Sequence, residues 1–222
     1  MPTVNFKFDK EKDLWNNWDK SNNISLVGPY NIPDSIKKIC EGKTFEEAKP
    51  ELKKALQKIH ISHLIKLQIK TVEKAWDKIE KEYFHRMDRI MKHKYQKDST
   101  ACLTTCRYAP YDEKEGWFMF RFFSSTPDSL RTCGHELMHF YFHDFYWDNV
   151  EKEIGKDKTW HLKEALTVLL NLEFRDLWFA RDEGKKGHEE LRNFISEEWK
   201  KEKDFDKLLE RCIAKLKVEE VK

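Results

Sequence analysis

His135-Glu136-Leu137-Met138-His139 puts two imidazoles and a carboxylate into five residues. On a helix, four residues advance about 400°, so His135 and His139 project to the same side and can share one metal ion. Glu136 projects beside them, where a carboxylate can take a proton from water on that ion. The chemistry this spacing points to is metal-assisted hydrolysis, with zinc as the metal and Glu136 as the general base. The pentapeptide lies in an apolar, aromatic-rich stretch, so its expected setting is a buried helix.

Hydrolytic zinc takes three protein ligands and keeps a fourth position open. The third ligand must come from farther along the chain, and the best candidate is Glu164, in Trp160-His161-Leu162-Lys163-Glu164-Ala165. A carboxylate in so apolar a helix is costly to bury unless it is paired or bound to a cation. His161, three residues before Glu164, is its rival. His143 extends the stripe of His135 and His139, but a helix cannot easily bend three imidazoles onto one ion, so a hydrogen-bonding or rim role suits it better. Asp144 and Asp148 are candidate partners for a ligand histidine, or solvent-exposed acids. Cys102 and Cys106 have no second cysteine pair to complete a metal hook, so a structural role is expected of them.

H-E-x-x-H on one helix followed by a glutamate on the next resembles the gluzincin branch of the zincin metallopeptidases, over about residues 100–182. The resemblance implies a zincin-like fold, a zinc ion on His135, His139 and Glu164, and hydrolysis of peptide bonds. It also implies that an upstream edge strand, here Trp117 to Phe123, aligns an extended peptide substrate. One position departs from the family pattern. Gluzincins often carry an aspartate four residues after the ligand glutamate, and here that residue is Val168; Thr167 and Asn171 are nearby groups for such a supporting place. The donor that would stabilise the oxyanion stays open among Tyr141, Tyr146, His161 and His188, and no substrate-binding residue is singled out.

The remaining composition narrows the partners. The 222 residues carry 42 basic and 40 acidic side chains, a formal charge of +2, with no long block of one sign. That balance argues against a nucleic-acid surface and leaves a peptide or protein substrate as the expected partner. No apolar run approaches the roughly 18 residues of a membrane span, and no signal peptide is visible at the N-terminus. Five scattered cysteines argue against a disulfide framework and for a cytoplasmic location. The oligomeric state is not written in the sequence.

The elements that must position these groups read as α+β: a mostly helical, zincin-like domain with a small antiparallel sheet packed on the active-site helix. Val4, Phe6 and Phe8 alternate as a short strand in an otherwise irregular first forty residues, where Gly28-Pro29 and Ile32-Pro33 mark a loop. Thr44-Phe45-Glu46-Glu47 has the spacing of a capping box. The stripe Ile65, Ile69, Val72, Trp76, Ile79, Tyr83, Met87 and Ile90 predicts one long amphipathic helix from Ser62 to Lys92. Residues 101–108 and 116–123 read as two strands joined by a turn, the second too apolar on both faces to stay uncovered. A helix from Thr126, its N-cap, to about Phe145 would carry the histidines. After a charged loop, a second buried helix is expected over residues 158–180, then two charged helices over about 188–201 and 205–216. The expected organisation is an N-terminal segment, 1–95, and a catalytic core, 96–222, forming one compact unit. Two other functional classes fit parts of the pattern: a zinc-binding protein without catalysis, and a helical interaction protein whose long helix exposes its apolar stripe.

Overall fold

The structure, a computed structural model, describes residues 1–25 and 28–218; the last four residues of the expected 96–222 core lie outside them. The chain forms two compact units, one of residues Thr3–Asp77 and Asp98–Ser129, the other of Met1–Pro2, Lys78–Lys97 and Leu130–Lys222. Each unit draws on residues from both sides of position 95. Helices with one four-stranded mixed sheet make the chain α+β.

The first of these units holds the sheet. Its strands are β1 (Val4–Lys7), β4 (Ser99–Thr104), β5 (Tyr111–Asp112) and β6 (Trp117–Arg121), in the order β1-β4-β6-β5. A separate pairing joins β2 (Ile24–Ser25) to β3 (Gly28–Pro29), where the sequence suggests only a loop. The sheet is not antiparallel as the sequence suggests: β1, β4 and β6 run parallel, and only β5 opposes β6. The physical reason lies in residues 105–116, long enough to carry the chain past the β6 position before it returns. A hairpin does form, but its first strand is β5. Asp112 accepts from the Lys114 and Glu115 N–H groups, at 3.0 and 2.9 Å, and Gly116 closes the turn at φ +66°.

The predicted cover over β6 is present, since Phe118, Met119 and Phe120 are fully buried. The strand is not an edge, however. Its first residues pair with β4 on one side and β5 on the other, so the sheet edges are β1 and β5.

Two helices occupy the stretch that reads as irregular: α1 (Lys10–Asn22), capped by the Asp9 side chain, and α2 (Asp34–Cys40). Helix α1 escapes a periodicity argument because part of its buried face is polar. Asp13, Asn16 and Asn17 are buried beside Leu14. The Asp13 carboxylate accepts from the Thr104 hydroxyl, the Thr105 N–H and the Thr105 hydroxyl at 2.6–2.7 Å, and bonds His60 Nε2 at 2.8 Å. Four partners make burial of this carboxylate tolerable and tie α1 to the end of β4. Helix α3 (Phe45–His60) opens on the expected box, with Thr44 and Glu47 capping reciprocally.

The long helix is two helices, α4 (His63–Trp76) and α5 (Glu80–Met91). The apolar stripe runs on through the break at 77–79, which contains neither glycine nor proline, so tertiary packing overrides a continuous local pattern. The stripe does not face solvent: Ile65, Val72, Trp76, Tyr83, Met87 and Ile90 are buried. The support for a helical interaction protein goes with that exposure.

The other unit is helical. Helix α6 (Thr126–Phe145) carries the histidines as expected, but its cap is Ser125, one residue early, whose Oγ accepts from the Asp128 N–H and donates to the Asp128 carboxylate. The charged loop is instead α7 (Trp147–Ile154), which buries Val150 and Ile154. The second buried helix is three pieces, α8 (Lys156–Leu166), α9 (Val168–Glu173) and α10 (Arg175–Trp178). Phe179 stops the last at φ +61°. Helices α11 (Glu189–Lys201) and α12 (Phe205–Val218) match the expected C-terminal pair. All five cysteines are buried and free. No helix among the described residues is long and apolar enough to cross a membrane.

Candidate metal centre

Helix α6 can bring His135 to its neighbours because Gly134 precedes it. A Cβ there would fall 2.5 Å from the Trp178 ring and 3.2 Å from Tyr83, and the Tyr83 hydroxyl donates to the Gly134 carbonyl at 2.7 Å. Missing side-chain bulk at this one position lets α10 and α5 pack directly on the α6 backbone.

One turn apart on α6, the His135 and His139 rings lie 4.4 Å between centroids. Helix α8 supplies Glu164 opposite them. Its Oε2 is 3.8 Å from His135 Nε2, and its Oε1 is 3.6 Å from His139 Nε2. The three candidate ligand atoms all lie within 4.8 Å of one another, and His139 and Glu164 are buried. Two imidazole nitrogens and one carboxylate oxygen are the donor set that zinc takes in hydrolases, so these residues fit the ion. His161 is elsewhere: its Nδ1 is 2.7 Å from His188 Nε2. Of the two candidate third ligands, the structure therefore groups Glu164 with the histidines.

The residue that sequence reasoning missed is Asp182. Its Oδ2 lies 2.8 Å from His135 Nδ1. Burial works against the Asp182 anion, but His135, Arg131 and Arg192 outweigh it and hold the carboxyl well below its usual range. An ionised carboxylate can only accept, so His135 Nδ1 carries the hydrogen and Nε2 is left to face Glu164. Asp182 comes from the loop after α10, yet it fills the supporting place that Val168 cannot. Thr167 and Asn171 do take part, one step removed. The Thr167 hydroxyl bonds Asp182 Oδ1 at 2.9 Å, and the Asn171 side chain pairs with both backbone groups of Asp182 at 2.7 and 2.8 Å. Arg131 and Arg192 add ion pairs at 3.0 and 3.2 Å. Gly184 lets the loop cross Arg192, where a Cβ would fall 2.7 Å from Nε and φ is +72°. Asp144 pairs with Lys97, and Asp148 is exposed on α7.

Charge around the cluster is unevenly shared. Burial depresses the pKa of His135, but Asp182 and Glu164 reverse this and lift it to about 9 in the metal-free chain. His139, also desolvated and beside Lys163, is driven well below its ordinary value. Burial pushes Glu136 up to about 7. Burial would raise Glu164 too, but the histidines and Lys163 hold it far below the carboxylate range. Two lysines converge on Glu164 Oε1: Lys163 at 3.1 Å and Lys185 at 3.0 Å. Neither stands out in the sequence, where lysine is everywhere a surface residue by default.

The four oxyanion candidates separate. The Tyr141 hydroxyl donates to Asp88, and the Tyr146 hydroxyl donates to the Met91 carbonyl. The His161–His188 pair stands near enough to Glu164 for that charge to act on His188, whose pKa burial and His161 both lower.

Comparison with protein-family models, with curated proteins and with solved structures gives no match. The case for function rests on the centre itself.

Proposed function

We propose that the chain is a zinc-dependent metallopeptidase of zincin-like fold in which His135, His139 and Glu164 hold the ion. The observation that carries this reading is the convergence of those three side chains within 4.8 Å, with Asp182 fixing the His135 tautomer from behind. Bound zinc supplies an acidified water and a Lewis acid for the scissile carbonyl. Glu136 stands outside the ligand set, buried beside it, and takes the proton that it then hands to the leaving amine. Of the four oxyanion candidates, His188 is the one on which the charge of Glu164 acts, so it is the candidate donor to the developing charge on the carbonyl oxygen. Peptides or proteins are the substrates, and five free cysteines support a reducing, cytoplasmic setting.

A second reading, a structural polar cluster that needs no ion, has one observation behind it. Lys163 and Lys185 already pair with Glu164, so the carboxylate is compensated without an ion. Metal analysis and one substitution separate the two. Glu136→Gln removes the base but no ligand, so the variant should keep one zinc per chain and lose peptide hydrolysis. Full activity in the variant, or a wild-type protein that binds no zinc, would overturn the peptidase reading.

A further inference from the structure

The lysines at Glu164 do more than neutralise it. Lys163, Lys185, Arg131 and Arg192 surround the centre, against the carboxyls of Glu136, Glu164 and Asp182. Cationic side chains outnumber carboxyls even with every carboxyl ionised, and a dication on Glu164 widens the difference. Lys163, Arg131 and Arg192 balance the three carboxyls, so the surplus cation is Lys185, which is partly exposed and able to pair with an arriving anion.

The two lysines differ in what they can reach. Lys163 is 1% exposed, whereas Lys185 is 40% exposed. Its ammonium also lies 4.2 Å from the Trp160 ring centroid, a contact that can hold it at the site once it leaves Glu164. Gly184 and Gly187, at φ +72° and +90°, flank the segment and set its path over Arg192.

Resting on the peptidase reading, we propose that Lys185 recognises a carboxylate on the substrate, so that the preferred substrates are peptides with an anionic group close to the scissile bond. The group is either a C-terminal carboxylate or an acidic side chain. With Glu164 committed to a metal ion, the Lys185 ammonium would be released from that carboxylate and could pair with the incoming one.

The test is binding, using the Glu136→Gln protein so that no turnover intervenes. Four N-acetylated pentapeptides of one sequence are titrated calorimetrically, with glutamate or glutamine at the centre and a free or amidated C-terminus. Zinc-loaded and zinc-free protein are both measured. At least one carboxylate-bearing peptide should bind about 10-fold more tightly than the peptide with neither group, and the terminal and internal arms tell the two sources apart. Adding Lys185→Met, or Lys185→Gln should the first variant fold poorly, should bring the difference to within about twofold. Equal affinities for all four, no binding of any, or a preference that survives loss of Lys185 would overturn the proposal. Hydrolysis by the wild type without a carboxylate preference would leave the peptidase standing and remove this inference. A Lys185-dependent preference in a protein that hydrolyses nothing would do the reverse.

Discussion

Replacing Asp182 with asparagine should uncouple His135 from the charge that now governs it. The substitution keeps size and leaves a carbonyl to accept from Nδ1, but removes the anion 2.8 Å away. In the metal-free protein His135 sits at about 9 against an ordinary 6.5, with burial opposing the rise and Asp182 the largest support for it. That difference corresponds to about 3 kcal/mol of coupling between protonated His135 and its surroundings. Because the folded-state pKa lies above the unfolded one, this stability is fully present below pH 6.5 and is lost as pH rises through 9. Glu136, raised to about 7, also makes stability fall with pH, but only up to that point and in both proteins. The comparison therefore belongs between pH 7 and 9.5. Over that range chelator-treated wild type should lose about 2–3 kcal/mol more stability in urea unfolding than Asp182→Asn, while the five buried thiols, all raised by burial, add the same alkaline fall to both proteins. Absolute stability of the variant will be lower throughout, since Arg131 and Arg192 lose a buried partner, so the slope is the quantity to compare. The His135 ring should titrate, by NMR, at least about one pH unit lower in the variant. Zinc affinity should fall by about 10–100-fold, as it does when the acceptor behind a ligand histidine is removed. An unchanged His135 titration together with wild-type zinc affinity would refute the role given to Asp182.

Three other outcomes follow from the same geometry. Glu164→Ala should sharply lower zinc occupancy in chelator competition while His161→Ala leaves it near one per chain; the opposite pattern would transfer the third ligand to His161. Gly134→Ala places a Cβ 2.5 Å from the Trp178 ring, an overpacking expected to cost about 1–3 kcal/mol in urea unfolding of the metal-free protein. Trp178→Leu in the same background should recover part of that loss, and no recovery would mean that the contact with Trp178 is not its source.

Much of the fold was legible wherever burial is apolar and local. The capping box at Thr44 and Glu47, the helix of His135 and His139, β1 and the C-terminal helices all follow from spacing and cap chemistry. Sequence reading fails where those signals are silent or misleading. Helix α1 turns Asp13, Asn16 and Asn17 inward, so its buried face does not look hydrophobic. The stripe from Ile65 to Ile90 continues through the break between α4 and α5, so periodicity reports which face is buried but not whether the axis is continuous. The sheet misleads for a third reason. A strand, a turn and a strand do not reveal that β5 intervenes and leaves β4 and β6 parallel.

The centre was legible in its candidate ligands and illegible in its support, and the difference is one of distance along the chain. His135 and His139 are bound together by helical pitch, which any sequence displays. Glu164 shows itself because a carboxylate in an apolar helix demands a partner. Asp182 gives neither sign. It stands among Arg181, Glu183, Lys185 and Lys186, where an acid reads as solvated loop, and its burial becomes visible only when Thr167, Asn171, Arg131 and Arg192 gather around it. The valine at position 168 therefore does not weigh against Glu164. The function of an acid behind His135 constrains where a carboxylate must be in space, and a loop held by four neighbouring side chains meets that constraint as well as the next turn of a helix would.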